Sequence, residues 1–384
     1  MSRSVAAPRP ARPAAGESLA AVVGRRHLPA LDGLRAIAVL VVIVYHAGYA
    51  RVPGDLGVSI FFVLSGFLIT RLLLGEWERT GDVSLRRFYL RRALRIFPAY
   101  YAFILLTMAA DTVLGARWAP GRVAAAFGYV YNYYNAIHLG RPFDTAHAWS
   151  LSVEEQFYLL WPALFILLAR RGERALRLGL LAAIAAVLAW RSWLYLGAGA
   201  GQHYVYNALD TRLDNLAVGC FLSVVATSPA AGRVTGVLAR YTWAPLVTAA
   251  LVLVSRKTLG GSWHYSLGFT VDAVLFGLLI AQLLRLHATR AWRWLDHPLL
   301  RWLGALSYPM YLWHVWGLAA AGHLPLPGGL PARLLAGIAL TVGLAATSYY
   351  LLERPILALR ERLENRLLVP APAPARAAVP ESAA

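Results

Sequence analysis

His46 follows Arg35 by eleven residues in LDGLRAIAVLVVIVYHAGY, a stretch otherwise almost wholly apolar. Eleven residues carry an α-helix through about 1100°, three turns and about 20°, and advance it roughly 16 Å, so both side chains fall on one face. An imidazole can take a proton from a hydroxyl near neutral pH, and a guanidinium can hold an anionic or strongly polar ligand. The structural alternative is that Arg35 pairs with Asp32, one turn away, and that His46 finishes a helix at an interface. In AHAWSLSVEEQFYLLWP, Glu154 and Tyr158 are i and i+4 and also share a face. A carboxylate beside an imidazole fixes its tautomer and stabilises its protonated form. Glu155, about 100° further round, better suits the negative charge favoured at a helix start.

The densest cationic cluster is SLRRFYLRRALRIFPAYY, with Arg86, Arg87, Arg91, Arg92 and Arg95. Arg91 and Arg95 are i and i+4, a spacing that suits a phosphate-rich ligand, while topology or anionic lipid accounts for part of the cluster. Arg71 ends GVSIFFVLSGFLITR, where snorkelling is ordinary, and is grouped with the ligand-binding arginines. In that segment Gly57, Ser65 and Gly66 permit close helix approach. Ser65 has no strand-to-helix elbow around it and reads as a polar wall residue rather than a nucleophile. TRLDNLAVG adds Arg212 and Asp214, a more structural than catalytic pair placed with Asp32, Ser65 and Tyr158 around a polar cavity. LSYPMYLWH adds Ser307, Tyr308, Tyr311 and His314, the last expected as a satisfied core histidine in the same region. There is no P-loop or dinucleotide-type glycine fingerprint, so a nucleotide-bearing ligand would be held by side chains. Cys220 stands alone and no Cys/His cluster has zinc-site spacing, so no metal is expected.

These residues need elements to hold them. Of 384 residues 59% are hydrophobic and 15% charged, too few charges to cover a soluble surface. The reading is an all-α, multi-pass membrane protein. A net charge of +18 comes from 36 Arg and the single Lys257. They gather in loops between apolar runs, which fits membrane topology rather than a nucleic-acid-binding face. Ten apolar stretches are expected to span: 31–50, 54–74, 96–115, 150–169, 176–196, 212–227, 241–255, 267–284, 303–322 and 332–352. The stretches 212–227 and 241–255 are short, and 122–139, aromatic but polar, reads as a surface or re-entrant piece. With both tails on one side, that side holds 26 Lys/Arg and the other 6. Both termini are therefore expected in the cytoplasm. Residues 1–26 and 357–384 read as disordered tails around a membrane domain at 27–356, with no soluble domain. This topology puts Arg35 near the cytoplasmic end of its span, and His46 and Glu154 toward the outer side at similar depth.

Together these strings resemble the acyltransferase type 3 family of integral membrane O-acyltransferases. The likeness runs from about Leu28 to Pro355. It rests on LDGLRA with Arg-x10-His, GVSIFFVLSGFLI, RRALRIFPAYY, WSLSVEEQFYLLWP, RLDNLAVG, LSYPMYLWH and ERP, in that order. The resemblance implies ten membrane helices, an acyl-CoA donor (acetyl-CoA first) reached from the cytoplasm, and a sugar hydroxyl as acceptor. It implies an essential role for Arg35 and His46 and implicates Glu154 and the arginines of RRALRIFP. Relatives with an extra hydrolase-type domain outside the membrane carry it beyond the last span, and this sequence is expected to lack it. On this reading His46 is the general base on the acceptor and Glu154 supports it. Arg35 holds donor phosphate or pantetheine polar groups, or maintains the polar stripe, and Arg91, Arg92 and Arg95, with Arg71 grouped beside them, attract the CoA phosphates. The acceptor is a cell-envelope glycan or lipid-linked sugar, with a glycosylated natural product such as a macrolide as the alternative. The expected location is the bacterial cytoplasmic membrane. A transporter or flippase also places Arg, His and Glu inside spans, but the internal repeats that would favour one are not visible.

Overall fold

A bilayer offers backbone groups no water, so an apolar chain of this kind must satisfy them within helices. The computed structural model describes residues 18–25, 27–138 and 145–359, and every regular element among them is helical. In chain order the main helices are α1 (Pro29–His46), α2 (Gly54–Thr80), α3 (Leu85–Val113), α4 (Trp149–Ala169), α5 (Glu173–Ser192) and α6 (Leu213–Val225). They continue with α7 (Pro229–Leu238), α8 (Ala244–Thr258), α9 (Phe269–Leu286), α10 (Pro298–Ala305), α11 (Ser307–Gly322) and α12 (Gly329–Ser348). Among the described residues seven helical segments are long and apolar enough to cross a membrane, and an eighth forms if α6 and α7 count as one span bent by 104°. The bend has a local cause: Ser228 caps α7, accepting from the Ala231 N–H, and Pro229 opens it. Two of the ten expected spans are short helices, α8 with 15 residues and α11 with 16. At 1.5 Å per residue these reach about 22 and 24 Å, short of a roughly 30 Å hydrocarbon core.

The centre of the bundle is α2. Its glycines let backbones meet: a Cβ on Gly66 would lie 1.9 Å from the Leu216 carbonyl oxygen of α6, and one on Gly219 would lie 2.0 Å from that of Val63. Gly57 does the same against the Ala38 carbonyl of α1, and Gly54 makes room for the Tyr45 side chain. The α1–α2 contacts run antiparallel, whereas Ser65–Tyr158 and Thr70–Trp161 set α2 and α4 in parallel. On the other side of α1, Gly304 of α10 lies against the Asp32 carbonyl. α11 packs against α1 and more extensively against α12, with Gly317 on Thr341.

The segment expected to be re-entrant forms two short helices, Pro120–Phe127 and Tyr131–Ile137, tied to α3 by hydrogen bonds from Tyr100 and Tyr101 to Ala126 and Phe127. One expectation is corrected at the amino end. Within the stretch read as a disordered tail, Leu19–Val23 forms a helix capped by Ser18, with Leu19, Val22 and Val23 buried. Three apolar side chains in five residues give that turn a face to bury beside α9. The rest of that tail, 1–17 and 26, and the C-terminal tail from 360 onward lie outside the described residues.

Candidate active site

One large cavity of about 1350 Å³ enters the bundle. Gly24, Arg79, Ala169, Thr227 and Leu357 lie on its rim, so the two ends of the described chain meet at one mouth on the arginine-rich face. Its lining runs along α2 from Arg79 to Val58, one turn from the start of that helix, a distance of about 31 Å. Phe61, Phe62, Ser150 and Tyr311 line its inner end.

Arg91, Arg92 and Arg95 of α3 line the cavity together, as do Arg71 and Arg35. Arg92 lies over the Tyr158 ring, 4.5 Å from its centroid. Arg71 is at the rim, where its Nε–H donates to the Val23 carbonyl (2.7 Å), tying the short amino-terminal helix to α2. Arg35 bonds Asp32 (3.4 Å), whose other oxygen meets His27 (2.8 Å). The structural alternative for Arg35 is thus present, and Arg35 still faces the cavity. Ser65 is hydrogen-bonded to Tyr158, and Glu154 lines the same cavity. The Glu154 carboxylate also feels the charges of Arg92 and Arg35. Asp32, Ser65, Glu154 and Tyr158 therefore line the cavity together with the α3 arginines, Arg92 resting on Tyr158.

Beyond the inner end lie three imidazoles. His46 closes α1, partly exposed on the face opposite the arginines, and its ring centroid is 4.8 Å from that of His314. His314 is fully buried, and its ring is 4.8 Å from that of His147. The Tyr311 ring stands between this group and the cavity, 5.7 Å from His314 and 5.5 Å from His147. The Tyr311 hydroxyl donates to the His147 carbonyl (2.9 Å) and shares a hydrogen bond with Ser150 (2.7 Å). His46 Nδ1–H donates to the Val42 carbonyl (3.0 Å), which leaves the lone pair of a neutral ring on Nε2.

Four expectations about placement are corrected. Of Arg35 and His46 only Arg35 lines the cavity; His46 packs on His314 of α11, past Tyr311. Glu154 sits with Arg35 and Arg92 rather than beside His46. The reason is that α4 begins inside the bundle, with Trp149 buried on Phe62 (5.9 Å), so Glu154 is deeper than its position early in the span suggests. Arg212 and Asp214 are outside the cavity and do not pair with each other. Arg212 lies on the Phe269 ring (3.7 Å) and bonds Ser59 (3.0 Å), while Asp214 pairs with the buried Arg191 (2.8 Å). His314 is also outside the cavity and is not fully satisfied, since its Nε2 has no hydrogen-bond partner among the described residues. His147, Ser150 and Arg191 escaped the sequence reading. The first two follow Ala146 in the same string as Glu154, and Arg191 sits deep in an apolar run whose other charge, Arg177, is at its start. Among the described residues no group of three or more His, Cys, Asp or Glu side chains is arranged to hold a metal ion.

Comparison with known proteins gives a consistent picture. The model of the acyltransferase domain family matches residues 28–352. The chain is 32% identical to the peptidoglycan O-acetyltransferase OatA of Listeria monocytogenes, over 76% of this chain and 49% of that protein. It is 32% identical to the putative peptidoglycan O-acetyltransferase YrhL of Bacillus subtilis, over 86% of this chain and 55% of that one. A putative O-acetyltransferase of Staphylococcus aureus is 29% identical over 86% of this chain and 57% of its own length. The chain thus spans about half the length of the curated relatives it matches. No solved structure matches it.

Proposed function

Because this chain belongs to the acyltransferase domain family, we propose that it is a membrane O-acyltransferase carrying acetyl from acetyl-CoA to a hydroxyl of a cell-envelope glycan. The observation that carries this reading is the cavity: three arginines near one end, a narrow aromatic end at Tyr311, and a basic imidazole just past it. The chain's likeness to the peptidoglycan O-acetyltransferase OatA and the putative peptidoglycan O-acetyltransferase YrhL supports a peptidoglycan-type acceptor. The arginine-rich face is the cytoplasmic one, and the full set of crossings is ten, with both ends inside the cell.

In this scheme the CoA phosphates rest among Arg91, Arg92 and Arg95, and Arg71 holds the rim in place. The pantetheine arm follows the wall of Arg35, Ser65 and Tyr158, and the thioester reaches Ser150 and Tyr311. Glu154 balances Arg35 and Arg92, so that the wall is polar without a net positive charge that would grip the donor too tightly. The acceptor approaches from the opposite face, where His46 is exposed. His46 Nε2 takes the hydroxyl proton as the oxygen attacks the thioester carbon, the C–S bond breaks, and the sulfur leaves with its electron pair.

The test uses membranes containing the full chain, labelled acetyl-CoA and soluble peptidoglycan fragments. Base-labile label on the fragments is expected. His46→Ala and Arg35→Ala are expected to abolish it while the protein still accumulates in the membrane. Full activity in either variant removes that residue from the mechanism. Movement of unlabelled fragments across the membrane without ester formation would make the protein a transporter instead.

A further inference from the structure

We propose that His314 is a positioning residue for His46, sharing with it the proton released by the acceptor. This rests on the acyltransferase reading and adds to it a partner that the sequence had placed in the core. The two rings come from different helices, α1 and α11, and their centroids are 4.8 Å apart. Each turns Nδ1 back onto its own helix: His46 onto Val42 O at 3.0 Å and His314 onto Tyr311 O at 2.7 Å. A ring that donates from Nδ1 carries its lone pair on Nε2, so each imidazole directs its basic nitrogen away from its own backbone. On His314 that nitrogen is fully buried and has no hydrogen-bond partner among the described residues. Buried acceptors are ordinarily satisfied, and one left open at a reaction centre asks for an explanation. A proton arriving on His46 supplies it: Nε2–H of a protonated His46 is the donor that His314 Nε2 lacks.

The position of His314 also suits the direction in which the proton must travel. It stands between His46, on the acceptor side, and Tyr311, which lines the donor cavity. The acceptor O–H bond breaks toward His46 Nε2 as the new C–O bond forms, and the thioester C–S bond breaks with its electron pair going to sulfur. The proton is then held between His46 and His314 until the CoA thiolate takes it, giving the free thiol, the ester and two neutral imidazoles. His147, whose ring is also 4.8 Å from that of His314, donates its Nε2–H to the Leu312 carbonyl (3.2 Å).

The experiment compares wild type, His314→Phe, His314→Asn and His314→Ala, purified as full chains, in acetyl transfer to peptidoglycan fragments. Acetyl-CoA binding serves as the folding control. General acid–base partners are commonly worth about 10²-fold or more. His314→Phe and His314→Asn are each expected to lower kcat by about 100-fold, with KM for acetyl-CoA unchanged within about threefold. Free imidazole is expected to restore His314→Ala by at least about tenfold, which a purely structural loss would not allow. Wild-type kcat in His314→Phe or His314→Asn, or no rescue of a His314→Ala chain that still binds acetyl-CoA, overturns the proposal. If wild type itself transfers no acetyl group, it is the acyltransferase reading that fails, and that outcome is distinct from a wild type that works with an indifferent His314.

Discussion

At the scale of residues, the donor-binding assignment rests on three α3 guanidiniums that share one cavity wall. Arg92 also lies on the Tyr158 ring at 4.5 Å, a geometry that an ammonium group reproduces poorly. A charge-assisted hydrogen bond is worth about 1.5–3 kcal/mol, or roughly ten- to hundredfold in affinity. Arg92→Ala is expected to raise KM for acetyl-CoA by that factor and to leave acetyl-pantetheine, which has no phosphates, almost unaffected; steady-state kinetics with both donors check this. Equal losses with the two donors would move Arg92 from phosphate binding to the structural wall. The arginine cluster was legible in the sequence because five guanidiniums in ten residues need no tertiary information to be noticed. The partner of Glu154 was not, because its depth depends on where α4 starts, and that is set by Trp149 resting on Phe62, far away in sequence. Nor was Arg191, whose role comes from four distant partners: Asp214, the Thr270 hydroxyl, and the carbonyls of Thr211 and Ser266.

At the scale of elements, the wall bearing Ser65 and Arg71 is placed by the contact of α2 with α6. Gly66 and Gly219 meet the opposite backbones so closely that any Cβ must push the helices apart. Gly219→Ala puts a carbon 2.0 Å from the Val63 carbonyl oxygen. It is expected to destabilise by about 1–3 kcal/mol, the ordinary cost of overpacking, and to lower acetyl-CoA binding as α2 shifts. The control is Gly232→Ala in α7, where the added carbon meets nothing within 4 Å. There the better helix propensity of Ala is expected to stabilise by up to about 1 kcal/mol. Thermal inactivation of the detergent-solubilised chains reads both signs, and a neutral Gly219→Ala would mean that the two helices are not held at this distance. The helical class and seven of the ten stretches were readable from apolar run length alone. The shortness of 241–255, which became α8, was visible in its run length; the bend at Ser228 and the shortness of α11 were harder to see, because run length does not report where a cap, a proline or a glycine ends a helix.

At the scale of the whole molecule, charge asymmetry and cavity direction have to agree if donor and acceptor come from opposite sides. The mouth of the cavity shares its face with Arg79, Arg170 and the two described ends of the chain, and His46 is on the other face with Arg51. Lys and Arg resist translocation, and the 26-to-6 split between the two sets of segments favours retaining the cavity side in the cytoplasm. Cys220 is fully buried, so replacing it with Ala clears the background for single-cysteine labelling. On that background, Arg51→Cys is expected to react with a membrane-impermeant maleimide in intact cells or spheroplasts. Arg170→Cys, whose parent side chain is 66% exposed, is expected to react only after the membrane is opened. The reverse pattern would place the donor cavity outside the cell, away from the CoA pool, and would defeat the acyl-CoA scheme whatever the fate of His46. Reaction of both positions in intact cells would put the two faces on one side and defeat the two-sided approach of donor and acceptor.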